Sequence, residues 1–126
     1  MIIEWVKKLK NIRKGKISVF MNSKVYYGNT FLEVKELKDS NIKNRIELEY
    51  YRTKKRKNHF LRENSETYGI EIVKKEYEGR RVNIEKEKID RISSTKTSID
   101  SILSKLKKFK VTPIALKDVI EDMTHS

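Results

Sequence analysis

The spacing of apolar side chains changes along the chain, and each change marks an element. In residues 2 to 13, Ile2, Val6 and Leu9 fall at i, i+4 and i+7, while Trp5, Leu9 and Ile12 form an overlapping row. That is the stripe of an amphipathic helix, and Gly15 supplies a stop. Beyond Lys16 the period becomes that of strands. Ile17 to Met21 and Lys24 to Tyr27 read as short strands parted by Asn22-Ser23, and Gly28-Asn29 as a turn into Phe31 to Leu37. Asp39-Ser40-Asn41 reads as a loop. Ile46, Leu48 and Tyr50 then alternate with Glu47, Glu49 and Tyr51, which predicts a strand with one buried and one wet face. Lys54 to His59 has no period and reads as a loop.

In the second half, Tyr68 to Tyr77 and Arg80 to Glu85 flank Glu78-Gly79, where glycine supplies the positive φ of a tight hairpin. After Ser93-Ser94-Thr95 the period returns to that of a helix. Thr97 and Asp100 have the spacing of a capping box. Ile99, Ile102, Leu103 and Leu106 follow at i, i+3, i+4 and i+7 and predict a helix to about Lys110. Thr112 and Pro113 suit the N-cap and first position of a second helix, with Leu116, Val119, Ile120 and Met123 as its stripe. These elements predict one α+β domain over residues 1–126. It has an N-terminal amphipathic helix, an antiparallel sheet of about five or six strands, and two C-terminal helices packed on one face.

Composition tests whether such a chain can fold. Charged residues reach 38%, but Leu, Ile, Val and Phe make up 35 of 126 residues, above the roughly 20% below which a highly charged chain stays disordered. Cysteine is absent, so disulfides, thiolate nucleophiles and Cys-ligated metals are excluded. The opening Met1-Ile-Ile-Glu-Trp-Val does not read as a secretory signal. No apolar run approaches the roughly 20 residues of a membrane span. A cytoplasmic protein is the expectation.

Charge is distributed unevenly. Residues 1–62 carry 17 Lys and Arg against 6 acids, whereas residues 63–126 carry 13 against 12. A one-sided excess points to an anionic partner. Lysine-rich coding in an AT-rich genome raises the number of lysines, but it raises glutamate too and does not account for the asymmetry.

The segment Tyr68-Gly69-Ile70, the Glu/Lys-rich strand pair after it, and the closing Val111-Thr112-Pro113-Ile114-Ala115-Leu116-Lys117-Asp118-Val119-Ile120-Glu121-Asp122 resemble a family of short Firmicutes proteins, clostridial in type, known only as a domain of unknown function. The resemblance covers roughly the C-terminal half. It implies no activity, cofactor or catalytic residue. The basic N-terminus and the Lys54 to Lys57 run are not among the residues that carry the resemblance.

Candidate chemistry is sparse. His59 adjoins a basic run that disfavours its cation, and His125 lies in the tail, so neither suits a general base. Asp118, Glu121 and Asp122 share a helix face but read as solvated acids rather than metal ligands. Glu47 and Glu49 read as charge balance rather than an acid–base pair. Four scattered glycines build no phosphate loop or nucleophile elbow. No catalytic residue, metal or cofactor is expected.

The strongest constellation runs from Tyr50 to Arg62. Arg52, Lys54, Lys55, Arg56 and Lys57 can meet phosphates, while Tyr51 and Phe60 can stack on unpaired bases. Lys7, Lys8, Arg13 and Lys14 of the first helix add a second basic surface, which could instead lie on an anionic membrane through residues 2–14. The expectation is a non-enzymatic, regulatory nucleic-acid-binding protein, for DNA or RNA. The alternative is a protein-interaction module that uses its C-terminal helical pair.

Overall fold

The computed structural model describes the backbone over residues 18–33, 44–59 and 62–125, and side chains over 23–33, 44–56 and 66–124. Four strands form one antiparallel sheet: β1 (Ser18–Leu32), β2 (Arg45–His59), β3 (Arg62–Glu78) and β4 (Arg81–Ser93). Their spatial order is their chain order, so the sheet is a meander. Two helices follow, α1 (Lys96–Lys108) and α2 (Pro113–His125), and both pack on the sheet. The N-terminal helix expected over residues 2–13 lies outside the described residues.

Alternation on β2 decides which face the helices cover. Ile46, Leu48 and Tyr50 point into the core, and on β3 Ile72, opposite Tyr50, and Ile70, opposite Arg52, are buried with them. These meet Ile99, Leu103 and Leu106 of α1 and Leu116 and Ile120 of α2 in one buried cluster. Each helix spends its apolar stripe on that cluster, as the i, i+3, i+4, i+7 spacing requires.

The strand count is four among the described residues, not five or six, because two predicted breaks are absent. Asn22-Ser23 and Gly28-Asn29 lie within β1, which pairs with β2 from Ser18 opposite His59 to Leu32 opposite Ile46. A long partner strand supplies ladder hydrogen bonds along the whole of that stretch, and this outweighs the weak β-propensity of Asn, Ser and Gly. The local signal at Gly28 is a bulge between Tyr26 and Gly28, not a turn. Lysine 107 of α1 lies over the bulge, 3.2 Å from where a Gly28 Cβ would sit.

The Lys54 to His59 stretch is likewise strand rather than loop, for β2 continues through it with β1 on one side and β3 on the other. Polar side chains hide its period, yet both ladders satisfy its backbone. The hairpin at Glu78-Gly79 forms as expected, with Gly79 at φ 60.

Helix boundaries also shift. Thr95, not Thr97, caps α1: its hydroxyl accepts from the Ser98 amide at 3.3 Å. The helix stops at Lys108 through a Schellman motif, in which the Val111 amide donates to Leu106 and the Lys110 amide to Lys107. Lys110 holds the left-handed position of that motif at φ 53, where glycine is usual. Lys105, Lys107 and Lys108 in the last turn complement the helix dipole. Pro113 opens α2, as Thr112-Pro113 predicted.

Candidate nucleic-acid interface

The face of the sheet away from the helices is open, and its side chains form a lattice of pairs. Lys75 of β3 meets Glu49 of β2 at 3.0 Å, and Lys24 of β1 meets Glu71 of β3 at 2.8 Å. Glu47 accepts from Asn29 and from the Tyr77 phenol, each at 2.7 Å, and these donors hold its carboxyl below the usual carboxylate range. The Lys24 ammonium is held above its usual range by its hydrogen bond to Glu71. Such cross-strand pairs of opposite charge stabilise a sheet by a few tenths of a kcal/mol each, about 0.2 to 1.

Aromatic rings interrupt this lattice at one place. Tyr26 and Tyr51 lie opposite each other, ring centroids 5.6 Å apart and edge to face. The Lys24 ammonium sits 4.5 Å from the Tyr51 ring. Tyr26 is 51% exposed. The pair therefore offers ring surface to solvent beside a fixed cation.

The strand conformation separates residues that a loop would have brought together. Tyr51 and Lys55 face the open side, and Lys55 pairs with Asp90 at 2.9 Å. Arg52 faces the helices and pairs with Asp100 of α1 at 3.0 Å. Arg56 lies opposite Glu66, 3.7 Å away. Of the expected basic residues with described side chains, Arg52, Lys55 and Arg56 thus have acidic partners, and Lys54 enters no ion pair among the described residues. Lys57 belongs to β2, opposite Phe20 and Ser65, but its side chain lies outside the described set. Lys7, Lys8, Arg13, Lys14 and Phe60 lie outside it altogether.

Sequence reasoning missed Lys24, Tyr26 and Lys88. They lie far from the basic run in the chain and reach the same part of the open face only through the register: Tyr26 opposite Tyr51, Tyr51 opposite Glu71, Glu71 opposite Lys88. Tyr26 was legible as a strand aromatic, but its partner was not. Among the described residues no group of His, Asp and Glu could hold a metal ion. No described helix is long and apolar enough to cross a membrane.

The fold defines an α+β protein whose four-stranded meander is covered by two helices on one face and bare on the other. The model of the family of unknown function DUF6514 matches residues 29–126, and the chain belongs to that family. The match begins within β1, so it reaches well beyond the C-terminal half on which the resemblance rested. No curated protein and no solved structure matches the chain.

Proposed function

We propose that this protein is a non-enzymatic nucleic-acid-binding module of the cytoplasm. The observation that supports this is the strand register. Ser18 lies opposite His59 and Asn22 opposite Lys55, so the end of the sheet where β1 starts is the end that bears Lys54 to Lys57. Lys16 precedes Ser18 by two residues, a reach of roughly 7 Å. The basic run Lys7 to Lys16 precedes β1 in the chain and lies outside the described residues. The Lys54 to Lys57 run gives this end of the sheet cations that can meet phosphates, and the Tyr26–Tyr51 pair adds a surface on which an unpaired base can stack.

Fluorescence anisotropy with single-stranded DNA, duplex DNA and RNA tests the reading, and affinity is expected to fall steeply with salt. Lys55 and Arg56 hold Asp90 and Glu66, so the informative variant is Lys54→Gln with Lys57→Gln. It is expected to weaken binding much more than Lys105→Gln with Lys108→Gln, which removes the same charge from α1. Equal losses, or no binding to any of the three polymers at micromolar protein, would overturn the proposal.

A second reading draws on a different surface. Ile114 is 89% exposed and Phe109 68%, at either side of the connection between the helices. The apolar stripes of α1 and α2 are buried in the core, so a protein partner of the helical pair would contact this corner rather than the stripes.

A further inference from the structure

A groove of about 620 Å³ lies between β4 and α2, and Ile89, Pro113, Ile114 and Ile120 give it an apolar lining. Pro113 and Ile120 are buried, whereas Ile114 is almost fully exposed. The edge of the sheet beside this groove has unused backbone. β4 is the last strand and pairs only with β3 among the described residues. The carbonyl oxygen of Ile89 is the atom that a Cβ on Gly69 of β3 would meet first, so it faces β3. Backbone groups alternate in direction along a strand, so those of Lys88 and, two residues before it, Lys86 face away from the sheet. A further strand laid along this edge would take up those hydrogen bonds. Every second side chain of it would fall on the face where the groove lies.

The side chains of the edge sort by face. Lys86 and Lys88 stand opposite Val73 and Glu71 on the open face, while Glu87 and Ile89 stand opposite Ile72 and Ile70 on the helix face. Both lysines are exposed, and neither enters an ion pair among the described residues. Glu71, across from Lys88, is already held by Lys24 at 2.8 Å. On the helix face the balance is reversed, for Glu87 and Glu121 of the groove lining outnumber Lys117. The edge therefore favours acids on its open face and disfavours them in the groove.

We propose that β4 accepts, as an added strand, an extended segment of a partner protein in which acidic residues alternate with apolar ones. Its acids stand opposite Lys86 and Lys88, its backbone pairs with theirs, and its apolar side chains enter the groove over Ile89, Pro113 and Ile114. Main-chain bonds of this kind supply affinity, and the alternate side chains supply specificity. The proposal does not depend on nucleic-acid binding. It shares Ile114, but not Phe109, with the protein contact at the corner between the helices.

The test uses the full chain and two capped peptides of about six residues, the length of an ordinary strand: one of alternating Glu and Val, the other of alternating Lys and Val. The Glu–Val peptide is expected to shift the amide resonances of Lys86 and Lys88 and the methyl resonances of Ile89 and Ile114. It is expected to bind roughly tenfold tighter than the Lys–Val peptide, because opposite charges across a ladder attract and like charges repel. Lys86→Glu with Lys88→Glu should reverse that preference. Ile114→Asp should weaken both peptides, and Phe109→Ala should leave both unchanged. No shifts at millimolar peptide, equal affinity for the two peptides, or a preference that survives the charge reversal would overturn the proposal. Binding that is lost on Phe109→Ala, with the β4 amides unmoved, would overturn it in favour of the helical corner. Shifts of the Lys86 and Lys88 amides on dilution without peptide would overturn it in favour of a second copy of the chain.

Discussion

The phenol of Tyr50, in the middle of β2, donates a hydrogen bond of 2.9 Å to the backbone carbonyl of Val111, between the two helices. Tyr50 is fully buried, and burial pushes its phenol well above its ordinary value near 10. The folded state thus favours the neutral form. Its contribution is complete below the unfolded value and is lost as pH rises beyond it. Denaturant melts of the wild type are expected to lose stability above pH 10. Tyr50→Phe should flatten that alkaline loss while costing about 0.5 to 1.5 kcal/mol at neutral pH for the missing hydrogen bond.

The helical pair gives a contrast between two apolar side chains of similar size. Leu106 is fully buried in the cluster shared by sheet and helices, and Ile114 is almost fully exposed. Leu106→Ala is expected to cost about 2 to 5 kcal/mol in equilibrium unfolding. Ile114→Ala should stay within about 0.5 kcal/mol of the wild type, as surface changes do. A loss at Ile114 comparable to that at Leu106 would mean that the corner is covered.

Lys110 offers a stabilising change. It sits in the left-handed position that ends α1, where an L side chain costs roughly 1 to 2 kcal/mol and glycine costs little. Lys110→Gly is expected to raise stability by about 1 kcal/mol, offset in part by the greater freedom of glycine in the unfolded chain. Thermal melts check it, and a lower melting temperature would show that the Lys110 side chain contributes more than its backbone strain costs.

The elements with a strong local period were legible from the chain alone. Ile46, Leu48 and Tyr50 announced β2, the stripes of α1 and α2 named their buried residues, and Glu78-Gly79 marked its hairpin. Errors arose where the structure depends on a distant partner. β1 runs unbroken through Asn22-Ser23 because β2 is there to pair with it, and the Lys54 to His59 stretch is a strand because two neighbours flank it. The same reason explains the candidate site. Tyr51 and Lys55 could be picked out, but their companions Lys24, Tyr26 and Lys88 come from other strands, and register cannot be read from one strand's period. Ion pairing of Arg52, Lys55 and Arg56 was equally invisible, since Asp100, Asp90 and Glu66 lie between 10 and 48 residues away in the chain.

The outer edge of β4 is free of any partner strand among the described residues, and its composition bears on whether the sheet can grow. Residues 85 to 88 read Glu-Lys-Glu-Lys. In an antiparallel ladder between two copies of one edge, residues of the same side-chain face must stand opposite each other. Centred on Lys86, a second copy would set Glu85 against Glu87 and Lys86 against itself; centred on Glu87, it would set Lys86 against Lys88 and Glu87 against itself. Each of these alignments puts like charges across the new ladder, which is destabilising. The alternation that stabilises β4 beside β3 therefore also discourages these molecules from joining edge to edge into a growing aggregate.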